Sequence, residues 1–152
     1  MKNWKDSWRA LERAYAEGRV MSIGVSNFDV NLLNELLDFA TIKPHVIQNF
    51  AEIGKLDDDV RIWCKEHDVL YQPYASIRNL DNLPNNVKQS LERIALKKNV
   101  SSHNIAIRFF LQSGTGVIPR SSNEKHLQDN LNVFNFELTP EEMTELGWNE
   151  EL

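Results

Sequence analysis

Four short β-prone runs in this sequence end on polar or aromatic side chains: Ser26 with Asn27, Gln48, Tyr74 with Ser76, and Arg120 with Ser121. Asn27 and Gln48 each carry an amide that donates and accepts, which suits another planar carboxamide such as that of a nicotinamide. Tyr74 offers an aromatic face to a ring. Arg120 stands directly before an expected helix start. There its bidentate guanidinium joins free backbone N–H groups and the positive end of a helix dipole, a good arrangement for a phosphate monoester. Asp129 and Asn130, farther along that helix, pair a carboxylate with an amide and could read an adenine edge by the logic through which Asn reads adenine in DNA. No acid or base dyad converges with these groups.

The elements that must position them follow from periodicity and punctuation. Trp4, Trp8, Leu11 and Tyr15 recur at helical spacing and predict an opening amphipathic helix that Gly18 ends. A β-prone run from Val20 to Val25 precedes Ser26-Asn27-Phe28-Asp29, and Asp29 is placed to cap a helix carrying Leu33, Leu36, Leu37 and Ala40. Lys43-Pro44 breaks that helix, and Val46 to Phe50 reads as a second strand, followed by a helix built on Val60, Trp63 and Cys64. Val69 to Tyr74 is the third strand candidate, with Pro73 confined to its end because it lacks an N–H. Helices through Val87, Leu91, Ile94 and Ala95, and through Ile105, Phe109 and Phe110, come next. Val117-Ile118-Pro119 is a very short fourth strand. Ser121 and Glu124 match a capping box for a helix through Leu127 and Leu131, and Thr139 with Glu142 repeats the signature for the last helix. Alternating strands and helices predict an α/β fold with parallel pairing, whose strand carboxyl ends form the ligand crevice.

Composition bounds the rest. The 152 residues, 41% hydrophobic and 26% charged, describe an ordinary folded chain of about one domain. A net charge of −5 supplies no global basic field for nucleic acid or anionic lipid, so neither is an expected partner. The lone Cys64 cannot close an intrachain disulfide, no apolar run reaches the length of a membrane span, and the start lacks a signal-peptide core. A reducing, cytoplasmic setting is the expectation.

Taken together the motifs resemble the C-terminal part of an aldo-keto reductase. Trp8-Arg9-Ala10-Leu11-Glu12, Gly18-Arg19-Val20 and Ile23-Gly24-Val25-Ser26-Asn27-Phe28 are similar to the family's helix-4 and strand-5 stretch. Val46-Ile47-Gln48, Tyr74-Ala75-Ser76, and Val117-Ile118-Pro119-Arg120-Ser121 through Asn130 are similar to strands 6, 7 and 8 and the last helix. Each is a weak signal alone; their order and spacing make a strong one. The resemblance implies a (β/α)8-barrel family that binds NADP(H) and reduces aldehydes and ketones by hydride transfer. This chain would be a partial TIM barrel of about four βα units, residues 1–152 forming the C-terminal half of the domain. By the same resemblance Ser26, Asn27 and Gln48 hold the nicotinamide carboxamide and Tyr74 stacks on its ring. Ser76 lies in the loop passing the pyrophosphate, Arg120 and Ser121 take the 2′-phosphate, and Asp129 and Asn130 take the adenine. Arg120 stands where the family often has Lys, and His126 where it usually has Arg. Ile47 and Phe50 replace polar residues common beside the glutamine. The family's Asp, Tyr, Lys and His tetrad has no matching position here, so no catalytic residue is expected in this chain.

Singly, Ser26-Asn27 reads as a turn, Tyr74 as core and Arg120 as a solvated charge; their co-occurrence favours the cofactor instead. Cys64 and His67, at helical spacing, lack a second ligand pair for a metal and read as a buried thiol beside a surface imidazole. A non-catalytic half-barrel that senses cofactor or binds a partner is the alternative from a different class. The open strand edges of a half-barrel predict self-association or pairing with a complementary half.

Overall fold

The computed structural model describes residues 4–149, which divide into two compact units: residues 4–49 with 58–71, and residues 50–57 with 72–149. No described helix is long and apolar enough to cross a membrane.

The first unit contains α1 (Trp4–Ala16), β1 (Gly24–Ser26), α2 (Val30–Phe39), β2 (Val46–Gln48), α3 (Asp58–Glu66) and β3 (Leu70–Tyr71). The strands form a parallel sheet in the order β1-β2-β3, with Ser26 opposite Gln48 and Ile47 opposite Tyr71. Adjacent strands come close because Gly24 has no side chain: a Cβ there would lie 2.2 Å from the Val46 carbonyl oxygen. His45 joins the same two strands, its N–H donating to the Ile23 carbonyl at 2.8 Å and its Nδ1 accepting from the Ile23 N–H at 3.1 Å. The α/β pattern and parallel pairing are as expected, but the strands are shorter than the β-prone runs. Val20 and Met21 lie outside β1 and are exposed. β3 stops two residues before Pro73, whose ring nitrogen cannot continue a ladder.

Helix α1 buries Trp8 against Ile23 and Leu36, with Trp4, Tyr15, Phe28 and Phe39 packed around them. Each fully buried large side chain contributes roughly 1.5–3 kcal/mol. Gly18 follows the helix with φ +69°, the left-handed conformation that ends many helices. The face is rotated from the expected one: Leu11 is exposed and Glu12 is buried. Glu12 earns that place through hydrogen bonds, since its Oε1 accepts from the N–H groups of Thr41 at 2.7 Å and Ile42 at 2.9 Å, and its Oε2 from Arg9 at 2.7 Å. Burial pushes its carboxyl up, but these donors more than reverse the effect and leave it below the usual carboxylate range. Asp29 caps α2 as expected, accepting from the Leu32 N–H at 2.8 Å. On α3, Val60, Trp63 and Cys64 are buried, and His67 stacks on the Trp63 ring at 4.1 Å.

The second unit is mainly helical: α4 (Asn85–Lys98), α5 (Ser102–Gln112), α6 (Glu124–Leu131) and α7 (Pro140–Glu145), with 3-10 turns at Leu80–Asn82 and Asn132–Asn135. The expected apolar sets are buried, Val87, Leu91, Ile94 and Ala95 on α4 and Ile105, Phe109 and Phe110 on α5. Ser101 and Asn104 form the capping box of α5, and Thr139 and Glu142 that of α7. Trp148 meets Phe109 edge-on at 6.3 Å. Val117-Ile118-Pro119 forms no strand, contrary to expectation. Pro119 carries no backbone N–H, and the run makes no bridge to another segment among the described residues. Helix α6 also departs from expectation, because it buries no residue and both Leu127 and Leu131 face solvent.

Candidate functional site

The sequence-predicted residues fall into two groups, one in each unit. In the first unit, Ser26 and Gln48 are register partners at the carboxyl ends of β1 and β2, on neighbouring strands whose backbones lie about 4.8 Å apart. The Ser26 hydroxyl donates to the Gln48 carbonyl at 2.5 Å. Asn27 follows with φ 60°, a left-handed conformation that Asn tolerates better than most residues. Its N–H donates to the Asn49 Oδ1 at 2.7 Å and lies 3.3 Å from the Gln48 carbonyl. Asn49 also donates from Nδ2 to the Phe28 carbonyl at 2.9 Å. This buried amide therefore clamps the turn that presents Ser26 and Asn27. Sequence reasoning missed Asn49; its position immediately after Gln48 was the available signal.

In the second unit, the chain after β3 places Tyr74 and Ser76 on a tight turn. Ala75 between them has φ 60°, and the Arg78 N–H closes the turn on the Ala75 carbonyl at 2.9 Å. A non-glycine residue held in that conformation is a sign of local strain fixed by its surroundings. Tyr74 makes a parallel bridge with Phe50, and their rings meet edge-on at 6.0 Å, leaving Tyr74 half-buried. Ser76 is buried.

A cavity of about 580 Å³ opens beside this turn, and Tyr74, Ser76, Arg120, Ser121, Asp129 and Asn130 all line it. Six residues separated by up to 56 positions in sequence are thus gathered around one space, as expected from their types. Arg78, His103 and His126 line it as well, with Ile77, Ile118 and Pro119 as apolar wall. The guanidinium groups of Arg78 and Arg120 have no carboxylate or hydrogen-bond partner among the described residues, and Asp129 is the carboxylate lining the cavity. On a chain of net charge −5 this is a local concentration of cationic groups. Its volume and mixed polar and apolar wall are those of a small-molecule site.

One expectation about this wall is corrected. Ser121 does not cap α6; Asn123 does, accepting from the N–H groups of Lys125 at 2.9 Å and His126 at 3.4 Å. Ser121 instead braces the cap, its hydroxyl accepting from the Asn123 N–H at 3.0 Å. The amide side chain reaches those donors with better geometry than a hydroxyl two residues earlier. The N–H groups of Lys125 and His126 are consequently occupied by the cap rather than open to the cavity. Asn104 fixes the far part of this wall by donating from Nδ2 to the Asp129 carbonyl at 2.8 Å.

Comparison with known proteins agrees with this architecture. The family model described as "Aldo/keto reductase family" matches residues 2–147. The chain is 37% identical over 143 residues to glyoxal reductase of Bacillus subtilis, covering 94% of this chain and 51% of that protein. It is 38% identical over 150 residues to 9,11-endoperoxide prostaglandin H2 reductase of Trypanosoma cruzi, covering 95% and 51%. Among solved structures, a variant of Gox0644 in complex with NADPH superposes with a TM-score of 0.83 at 32% identity, covering 93% of this chain and 51% of that one. The chain thus spans about half the length of the relatives it matches, and its fold is that of a partial (β/α)8 barrel. Nearly every described residue takes part in these matches, and the chain belongs to the aldo/keto reductase family.

Proposed function

We propose that this chain is the cofactor-binding, C-terminal half of an NADP(H)-dependent aldo-keto reductase domain, within an oxidoreductase family. The observation that carries the proposal is the cavity of the second unit, where an unpaired Arg120 and the Ser121 hydroxyl share one space with Tyr74, Asp129 and Asn130. The donor set fits the adenosine 2′-phosphate part of the cofactor. Arg120 provides bidentate donors for a phosphate, Asp129 accepts from an exocyclic amine, and Asn130 both donates and accepts. Tyr74 offers its ring to the nicotinamide, and the turn carrying Ser76 passes the pyrophosphate. In the first unit, the paired strand ends at Ser26 and Gln48, with Asn27 held by Asn49, supply donors and acceptors suited to a carboxamide.

When bound, NADP(H) supplies the hydride for carbonyl reduction. This chain's own residues bind and orient; the proton for the carbonyl oxygen is assigned to no group in it, and Tyr74 is assigned to stacking. Binding without turnover is therefore the expected behaviour of the chain alone. Calorimetric titration with NADPH is expected to saturate, and Arg120→Ala is expected to weaken NADPH about tenfold or more while changing NADH little. Absence of heat at millimolar NADPH would defeat the proposal. Carbonyl-dependent NADPH oxidation by the chain alone would overturn the assignment of the acid to residues outside it. A reading as a non-catalytic partner-binding half-barrel gains support from the solvent-facing Leu127, Leu131 and Phe134 in the second unit.

A further inference from the structure

We infer that Asn49 is a positioning residue for the nicotinamide end of the cofactor, acting through Asn27, whose left-handed backbone it holds from the neighbouring strand end. The inference rests on the cofactor assignment above, which gives Asn27 a part in holding the carboxamide, and it adds a residue that need not touch the cofactor.

One side-chain amide fixes both ends of a dipeptide. The Asn49 Oδ1 accepts from the Asn27 N–H at 2.7 Å, and its Nδ2 donates to the Phe28 carbonyl at 2.9 Å. Asn49 is 8% exposed, so water competes poorly for either bond. The Gln48 carbonyl is a weaker partner for the same N–H, at 3.3 Å, and it already accepts from the Ser26 hydroxyl at 2.5 Å.

A left-handed residue elsewhere in the chain shows what Asn27 would otherwise lack. Asn99, with φ 54°, ends α4 and is held by its own helix, its N–H donating to the Leu96 carbonyl at 3.2 Å. Asn27, with φ 60°, follows a strand and has no helix behind it to accept such a bond. The segments on either side of it are anchored by other means. β1 is held by its ladder to β2, Phe28 by its edge-on contact with the Trp4 ring at 5.5 Å, and Asp29 by its bond from the Leu32 N–H at 2.8 Å. A sparsely populated backbone conformation persists only where its surroundings over-determine it. Loss of the Asn49 amide therefore releases Asn27 from the conformation that sets the direction of its side chain, while β1 and α2 keep their own supports.

The test titrates the full chain by calorimetry with NADPH and with 2′-phospho-ADP-ribose, the same molecule without its nicotinamide. Asn49→Leu, close to asparagine in size and without polar side-chain atoms, is expected to weaken NADPH about tenfold and to leave 2′-phospho-ADP-ribose within about twofold of wild type. Asn49→Asp keeps an acceptor for the Asn27 N–H and should lose less; it carries the same comparison if circular dichroism shows the leucine variant to be unfolded. Because Asn49 acts through Asn27, the double variant Asn27→Ala with Asn49→Leu should bind NADPH no more weakly than Asn27→Ala alone. Unchanged NADPH binding, equal weakening of both ligands by a folded Asn49 variant, or an additive loss in the double variant would each overturn the inference and leave the cofactor assignment standing. A wild type that binds neither ligand would sink both together.

Discussion

At the scale of single residues, the carboxylates with shifted acidities are structural rather than chemical. Glu142 is the strongest case. It is buried at the start of α7, accepts from the Thr139 N–H at 3.0 Å, and receives Lys97 and Lys98 at 2.9 Å each. Burial works against its charge, but the Lys97 side chain, the Thr139 N–H and Lys98 outweigh it and lower the carboxyl from 4.5 to about 2. A depressed carboxyl stabilises the fold fully above its unfolded value and loses that contribution as pH falls from about 4.5 toward 2. The full shift corresponds to roughly 3 kcal/mol, and the exposure of Lys97 reduces the expected contribution to about 2 kcal/mol. Urea unfolding of Glu142→Gln should therefore show a loss of about that size at pH 7 and a shallower decline in stability from pH 5 to pH 3. Identical acid-side slopes for the two proteins would refute this role. None of this was legible in the sequence beyond the capping motif, because the two lysines reach Glu142 from another helix. That Tyr74, Arg120, Asp129 and Asn130 would face one space was legible, since polar and aromatic residue types single them out at the ends of β-prone runs and on the helix that follows. Asn49 and Asn123 were not, because an amide's partners depend on which backbone groups the fold leaves open.

At the scale of elements, helices were read more accurately than strands. The buried faces of α4 and α5 follow directly from apolar residues at helical spacing. β1, β2 and β3 have only three, three and two residues, shorter than the β-prone runs around them, because a strand ends where its ladder ends and not where its propensity does. The N-terminus of α6 shows the same limit. Ser121 and Glu124 have the spacing of a capping box, yet Asn123 takes the cap and the helix starts two residues later than Ser121 would require. Since α6 buries no residue, its stability depends on that cap and on the Asn104 anchor more than on packing. Asn123→Ala should cost about 1 kcal/mol and accelerate hydrogen exchange at the Lys125 and His126 amides, with the exchange of α4 amides unchanged. Unaltered exchange at those two amides would mean that the cap does not hold the helix end. Because α6 carries Asp129 and Asn130 into the cavity wall, the same variant should also weaken NADPH binding modestly.

At the scale of the whole molecule, the fold class was legible because several short motifs occur in a fixed order, although each is unspecific alone. The sequence did not disclose which apolar residues the chain leaves in solvent. Leu127, Leu131 and Phe134 recur at helical spacing along α6 and the turn after it, and their exposures are 47%, 65% and 67%. Side chains of this size at i, i+4 and i+7 form a continuous stripe, the pattern by which one helix packs on another. In the first unit, β3 lies at an edge of its sheet and Leu70 on it is 47% exposed. Unpaired strand edges and apolar stripes both favour association, and a net charge of −5 opposes it only weakly at physiological salt. The full chain is therefore expected to self-associate, with a second copy covering the α6 stripe. Light scattering at micromolar concentration should give a mass above that of one chain, rising with concentration. Leu131→Lys combined with Phe134→Lys should shift the population toward monomer while leaving the circular dichroism spectrum unchanged, because neither side chain is part of a buried core. A wild-type chain that remains a monodisperse monomer over this range would exclude the stripe as an interface between copies. A mass unchanged by the double substitution would instead place association on another surface, with the β3 edge as the next one to test.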